Sequence, residues 1–183
     1  MPARSIALPL LAAVALCAQS PKQGITPEWG IRQTLEGIAA NASRLLPVLE
    51  QIDPATWKGA SEGYIAQMES CRAQARALAL AARDLARSPE KLSSQLEAYF
   101  RLQFLESSLR SLGEGIRRYQ NPALADLVLA MLAENGANRE RIERYIVDLA
   151  AEKEQYCAVA DREAQRCRGA ISRQPARGER APK

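Results

Sequence analysis

The sequence predicts an all-α protein, an antiparallel up-down bundle of about four helices whose last helix is long enough to project beyond the bundle. The composition favours helix over strand, because 47% of the 183 residues are apolar, with many alanines and leucines, and only 5% are aromatic. Apolar residues recur at alternating spacings of three and four residues, the spacing of one helix face, and strand-like alternation is absent. Four proline pairs divide the chain into segments of helix length.

Residues 1–20 have the features of a secretory signal peptide, in which a basic start precedes an apolar run and a small-residue exit. The apolar run, residues 5–16, is shorter than the roughly 20 residues that span a bilayer. We therefore expect cleavage between Cys17 and Pro21 and an exported protein, periplasmic or extracellular. A buried N-terminal helix is one alternative. The other is lipidation at Cys17, because Val14-Ala-Leu-Cys17 resembles the bacterial lipoprotein signal except at Leu16.

The helical bundle is predicted over residues 21–168, and each helix is expected to begin at a proline that follows a capping side chain. Such a side chain accepts from free backbone amides, and proline loses no hydrogen bond at the first helical position. The four pairs are Thr26-Pro27, Asp53-Pro54, Ser88-Pro89 and Asn121-Pro122.

The first two helices each carry one apolar stripe with alternating spacings of four and three. The first stripe is Ile31, Leu35, Ile38, Ala42, Leu45, Leu49 and Ile52. The second is Tyr64, Met68, Cys71, Ala75, Leu78, Ala82 and Leu85. We expect these stripes to pack in a nearly parallel arrangement of helices, and Pro47 to kink the first helix.

The third helix has a stripe from Leu105 to Tyr119, preceded by a shifted stripe of Leu92, Leu96, Phe100 and Phe104. The shift widens the apolar face, so we expect this helix to be the most buried. If the helices enclose an apolar ligand, Tyr99, Phe100 and Phe104 would line its cavity.

The fourth helix contains an ambiguous point at Asn135-Gly136, residue types that often end a helix. The apolar phase nevertheless continues unchanged from Leu124 to Leu149. We therefore predict one long helix from Pro122 to near Arg168. Asn135 and Asn138 either set the register of this helix or mark its end.

The positive charge of the chain is concentrated at its C-terminal end. The net charge is +4, with 25 Lys and Arg against 21 Asp and Glu. Residues 169–183 are rich in Gly, Pro and Arg with little to bury, so we predict a disordered basic tail. The residues expected to attract a membrane or an anionic polymer are Arg168, Arg173, Arg177, Arg180 and Lys183. The tail lacks aromatic residues for base stacking, which argues against sequence-specific nucleic-acid binding.

The sequence lacks the residue types that most catalytic and metal sites need. There is no histidine, which excludes Ser–His and Cys–His nucleophile pairs and the Glu-x-x-His ligands of di-iron bundles. Pairs such as Glu97 with Arg101 have the i,i+4 spacing of surface ion pairs on a helix. We therefore expect a protein that is not an enzyme and that has no metal or other cofactor.

Removal of the signal peptide would leave Cys71, Cys157 and Cys167, an odd number that suggests an intermolecular bond or a free thiol. Cys157 and Cys167 are about 15 Å apart along one helix, too far to bond to each other. We expect them to join two copies, through like cysteines in an aligned pair or through Cys157–Cys167 twice in an antiparallel pair. Cys71 is expected to be a reduced core thiol, and its bond to Cys167 would require a different topology or a break further along the last helix.

The function predicted from these features is protein–protein contact through a helix face, with a different protein or with a second copy. The preferred face lies on the last helix and comprises Tyr145, Leu149, Tyr156 and Val159. The alternative is that these side chains pack within the monomer. Surface attachment through the basic tail and transport of an apolar ligand are the two other hypotheses, and a membrane association would require the tail or a lipid at Cys17.

Overall fold

The computed structural model describes residues 28–173, and this part of the chain is an all-α bundle, as the sequence predicts. Its α-helices are α1 (Glu28–Glu50), α2 (Gly63–Arg87), α3 (Leu92–Tyr119), α4 (Pro122–Glu134) and α5 (Gly136–Arg173). A short 3₁₀ helix, Pro54–Thr56, lies between α1 and α2. The predicted signal peptide, Thr26-Pro27 and Cys17 lie outside the described residues.

Two of the proline pairs cap a helix start in the expected manner. The Asn121 carboxamide oxygen accepts from the Ala123 amide at 2.9 Å, and α4 begins at Pro122. The Asp53 carboxylate accepts from the Ala55 amide at 3.1 Å, but only the 3₁₀ helix follows it.

The predicted starts of the second and third helices are therefore wrong by several residues. The second helix begins at Gly63 and not at Pro54, because a 3₁₀ turn and a loop intervene. The third begins at Leu92, after a turn that follows Pro89. Helix α1 continues through Pro47 to Glu50.

The core consists of the apolar stripes of α1 and α2, the later stripe of α3 and the inner face of α4 and early α5. Phe100 and Phe104 are not in it, since 60% and 48% of their surfaces are exposed. The core stripe of α3 runs through Leu102, Leu105 and Leu109. At about 100° per residue, Phe100 lies on nearly the opposite side of the helix from that stripe, so one packed face cannot bury both. The expectation that α3 is buried by a widened face is corrected accordingly.

Helices α1 and α2 run antiparallel. Arg72 near the middle of α2 donates to the Leu49 carbonyl at the end of α1, at 3.0 Å. Further along α2, Arg83 donates to the Ser43 hydroxyl, which lies earlier in α1, at 3.0 Å. The residue number rises on one helix as it falls on the other.

Helices α2 and α3 are also antiparallel. Gln67 donates to the Ser108 carbonyl at 3.2 Å, and Arg101 donates to the Gln74 carboxamide oxygen at 3.2 Å. These contacts keep a constant register over the length of the interface.

Helices α4 and α5 continue as one rod along α3. Asp126 in α4 pairs with Arg117, and Arg139 in α5 lies beside Glu106 at 3.7 Å, so both contacts fall on one antiparallel register. The single residue between the helices, Asn135, keeps a right-handed helical backbone with φ −82° and ψ −9°. The helical hydrogen-bond pattern is interrupted there, and α5 continues along α3 on the register of α4, so the predicted long last helix is interrupted only locally.

An aromatic cluster closes the end of the bundle where α3 meets α4. Trp57 stacks on Tyr119 and meets Tyr64 edge to face, with ring centroids 5.7 and 5.4 Å apart. The Trp57 indole N–H donates to the Gln120 carboxamide oxygen at 3.0 Å, and Gln120 in turn donates to the Gln51 carbonyl at 2.7 Å. These contacts join the loop after α1 to the end of α3.

Candidate functional site

The final part of α5, residues 151–173, extends beyond the bundle, and we call it the projecting segment. Leu149 is buried, Ala150 is half-buried, and residues 151–168 are all exposed. The register between α3 and α5 places the start of α3 at about the level of residue 151, so α3 does not accompany α5 further, and none of the other described helices contacts it there. At 1.5 Å per residue the projecting segment is about 34 Å long.

The predicted contact face on the last helix is divided by the edge of the bundle. Tyr145 and Leu149 are buried in the core and are not available to a partner. Tyr156 and Val159 are exposed over 73% and 48% of their surfaces. Residues of this apolar face pack in the core before residue 150 and face solvent after it. The periodicity alone does not show where the neighbouring helices end.

The projecting segment also extends further than the sequence predicts. Helix α5 ends at Arg173, so residues 169–173, expected to be part of a disordered tail, are helical. Arg168 and Arg173 therefore belong to the helix. Arg177, Arg180 and Lys183 lie outside the described residues.

Charge is unevenly distributed along the projecting segment. Residues 151–163 contain four acids and two bases, for a net charge of −2. Residues 164–173 contain Arg166, Arg168 and Arg173 and no acid, for a net charge of +3. Arg166 pairs with Glu163 one turn earlier at 2.8 Å, and both side chains are exposed. The segment is acidic next to the bundle and basic toward its end.

The three cysteines of the described chain are free thiols in two different environments. Cys157 and Cys167 are exposed on the projecting segment. Cys71 lies in the core with none of its surface exposed. Burial raises the pKa of the Cys71 thiol to about 11, although a hydrogen bond with Ser108 acts in the opposite direction. Because Cys71 is enclosed by the core and Cys167 lies on the segment beyond it, the structure does not bring them together.

A second exposed apolar area lies on the outside of α3, where Phe100 and Phe104 sit next to the half-buried Leu96. Gln74 and Arg101 border this open depression. The apolar periodicity predicts an interior position for these aromatic residues, and thus a possible ligand cavity, which their exposure contradicts. Their angular separation from the Leu102–Leu105–Leu109 stripe is the signal that would have placed them on the surface.

Two polar pairs, one buried and one partly exposed, join the last helix to the rest of the bundle. Asn135 donates to the Asn41 carboxamide oxygen at 2.8 Å. Glu106 lies 3.7 Å from Arg139, and burial raises the pKa of its carboxyl group against the opposing effect of Arg139. Both pairs join one helix of the bundle to another, and we assign them a structural role.

Among the described residues, no group of three or more Cys, Asp or Glu side chains is arranged to hold a metal ion. None of the helices that the structure describes combines the length and the apolar character needed to cross a bilayer. Comparison of the chain with protein families, curated proteins and solved structures finds no match.

Proposed function

We propose that this chain is an exported, non-catalytic helical bundle that acts through protein–protein contact, and that the projecting segment is its contact region. The observation that supports this most directly is the change at residue 150, beyond which α5 continues for 23 residues without a neighbouring helix from residues 28–173. Export rests on the signal-like residues 1–20.

The energetics of an isolated helix support this assignment. Helices that lack tertiary contacts are only marginally stable in water, because most helical stability in proteins comes from packing of one face. The projecting segment exposes Tyr156, Val159 and Ile171 and leaves that packing unused within the monomer. A partner that covers one face would stabilise the segment and bury these side chains.

The test compares two exposed alanines on the same helix. Ala160 lies in the projecting segment, and Ala137 lies where α5 is supported by the bundle. We expect the chain that starts at Pro21 to self-associate in light scattering, or to capture a protein from its own compartment. Ala160→Glu should abolish this contact, and Ala137→Glu should leave it unchanged.

A strictly monomeric chain that captures nothing would overturn the proposal. Equal loss of the contact in both variants would also overturn it, because the contact would then depend on the bundle and not on the projecting segment. Circular dichroism of both variants verifies that the helical content is retained.

Attachment to an anionic surface is a second candidate, favoured by the basic end of α5. Arg166 and Arg168 are exposed there, and further basic residues follow in the sequence. Such attraction is weak, salt-sensitive and without sequence selectivity. Replacement of Arg177, Arg180 and Lys183 by glutamine should reduce binding to phosphatidylglycerol vesicles at low salt. Unchanged binding would exclude this part of the tail.

A further inference from the structure

The projecting segment carries a row of residues whose spacing is the same when read from either end. Lys153, Cys157, Ala160, Ala164, Cys167 and Ile171 follow at intervals of four, three, four, three and four. These intervals place all six on one helix face, which we call the seam. The midpoint of the seam is residue 162, so a second copy in antiparallel orientation would place Cys157 opposite Cys167 and Ala160 opposite Ala164.

The small side chains at the centre of the seam permit a close approach of two helices. Ala160 and Ala164 contribute only a methyl group each, and both are exposed in the monomer. A disulfide requires Cα atoms about 4.4–6.8 Å apart, a distance that facing positions of closely packed helices can reach. The seam thus combines reactive groups with the small residues that allow them to meet.

The charges favour the antiparallel orientation over the parallel one. In the antiparallel register the basic end of one segment lies along the acidic part of the other. Arg168 then falls about 3 Å along the axis from Glu154 of the second copy, on the same flank of the seam. A parallel pair would place the two basic ends at the same level, and like-charge repulsion between them would oppose it.

We propose that two copies of this chain pair through the seam as an antiparallel dimer, closed by two symmetric Cys157–Cys167 disulfides. This inference rests on the proposed function, because it names a second copy as the partner of the projecting segment. The two bundles then lie at opposite ends of the paired helices, and each helix end reaches the level at which the other bundle begins.

The closing step is thiol–disulfide exchange and requires a disulfide oxidant, for which oxidised glutathione serves as the probe. The Cys167 thiolate of one copy attacks the glutathione S–S bond, forms a mixed disulfide and releases one glutathione thiolate. The Cys157 thiolate of the other copy then attacks the Cys167 sulfur and releases the second glutathione. Each bond therefore oxidises two protein thiols and reduces one glutathione disulfide, and the released protons pass to the two glutathione thiolates.

The first test maps the disulfides of the chain from Pro21 after equilibration with reduced and oxidised glutathione. We expect a dimer on non-reducing electrophoresis in which peptides containing Cys157 are linked to peptides containing Cys167. Because the two cysteines of one chain are about 15 Å apart, this linkage reports contact between copies. A monomer, or links between like cysteines, would overturn the proposal.

The second test reverses the charges that set the orientation. Glu154→Arg and Arg168→Glu should each reduce the dimer yield about tenfold, and the double variant should restore it to within about twofold, because both contacts are remade with opposite polarity. Arg162→Glu, on the side of the helix opposite the seam, is the control with no expected effect. Equal yields for all four variants would overturn the antiparallel register.

These outcomes separate the dimer from the proposed function. A chain that stays monomeric here, but captures another protein in a manner that Ala160→Glu abolishes, would overturn the dimer and leave the contact role of the projecting segment in place. Loss of both results would remove the two proposals together.

Discussion

The Asn135 side chain donates to the Asn41 carboxamide oxygen at 2.8 Å inside the bundle. Asn135 is the residue between α4 and α5, where the helical hydrogen-bond pattern is interrupted. Asn41 also donates to the Met131 carbonyl at 3.2 Å. A polar pair in an apolar interface permits few alternative alignments, because any shift would leave buried amides without partners. The pair thus explains how α1 and the last helix keep one register across the interruption.

Removal of both members of this pair should cost less than the sum of the two single removals. Asn135→Ala leaves the Asn41 oxygen without its donor, and we expect a loss of about 1–3 kcal/mol in the free energy of unfolding. The double variant Asn41→Leu with Asn135→Leu should lose less than the sum of the losses in Asn41→Leu and Asn135→Leu, because the bond between the two side chains is lost only once. The Met131 carbonyl, which accepts from Asn41, loses its partner in the double variant as well. Urea denaturation checks both values, and additive losses would contradict the interpretation of the two residues as a coupled pair.

The periodicity of the sequence was sufficient to predict the bundle and the long last helix, because a core stripe such as Ile31–Leu35–Ile38 is a local pattern. It also placed Asn135 on the interior face without deciding its role. Whether such a residue ends a helix or bonds across an interface depends on a partner 94 positions away. No local pattern contains that partner.

The candidate site was predictable only in part for a similar reason. Tyr145, Leu149, Tyr156 and Val159 share one apolar phase, yet the first two are core residues and the last two are exposed. The difference is set by the level at which α3 begins, a tertiary property. The start of α2 at Gly63 was missed because Asp53-Pro54 satisfies the same capping chemistry in a 3₁₀ turn as in an α-helix.

Two glycines in α3 should respond oppositely to alanine. A Cβ at Gly115 would lie 2.9 Å from both Trp57 and Tyr64, so Gly115→Ala should destabilise the protein by about 1–3 kcal/mol through displacement of the aromatic cluster. At Gly113 the nearest atom, on Leu129, is 3.6 Å away, an ordinary contact. Gly113→Ala should therefore stabilise the helix by about 0.5–1 kcal/mol.

Thermal denaturation monitored by Trp57 fluorescence compares the two glycine variants. Trp29 also emits, so the measurement uses a background in which Trp29 is replaced by phenylalanine. Equal changes in the two variants would show that the aromatic cluster does not press against Gly115.

The thiols should separate into two classes in the chain that starts at Pro21. Cys157 and Cys167 are exposed, and Cys71 is enclosed with its thiol pKa raised to about 11. At pH 8 and under reducing pretreatment, we expect two thiols to react rapidly with Ellman's reagent and the third only after denaturation. Three rapid thiols would contradict the buried position of Cys71, and Cys71→Ser should leave the rapid count unchanged.

The same thiol gives a defined pH dependence of stability. The unfolded thiol titrates near its ordinary value of 9.0, and the folded thiol titrates near 11. Between these values the unfolded state loses its proton first, so the contribution of this group to stability declines as pH rises. Urea denaturation of the wild type and of Cys71→Ala at pH 8 and pH 10 isolates that decline. An equal change in the free energy of unfolding of the two proteins between these pH values would contradict it.

Protonation of Glu106 should stabilise the bundle as the pH falls from 7 to 5. Burial raises the pKa of the folded-state carboxyl group above its ordinary value of 4.5, and Arg139 and Arg110 offset this shift only partly. The free energy of unfolding therefore rises on acidification, because the folded state retains the Glu106 proton at a pH where the unfolded state has lost it. The stabilising contribution is present below about pH 4.5 and is lost as the pH rises through the folded-state pKa.

Glu106→Gln removes the titration but preserves the shape of the side chain. The gain in the free energy of unfolding on acidification from pH 7 to pH 5 should therefore be smaller in this variant. Urea denaturation at both pH values measures the difference, and identical gains would show that Glu106 is solvated and that Arg139 compensates its charge fully.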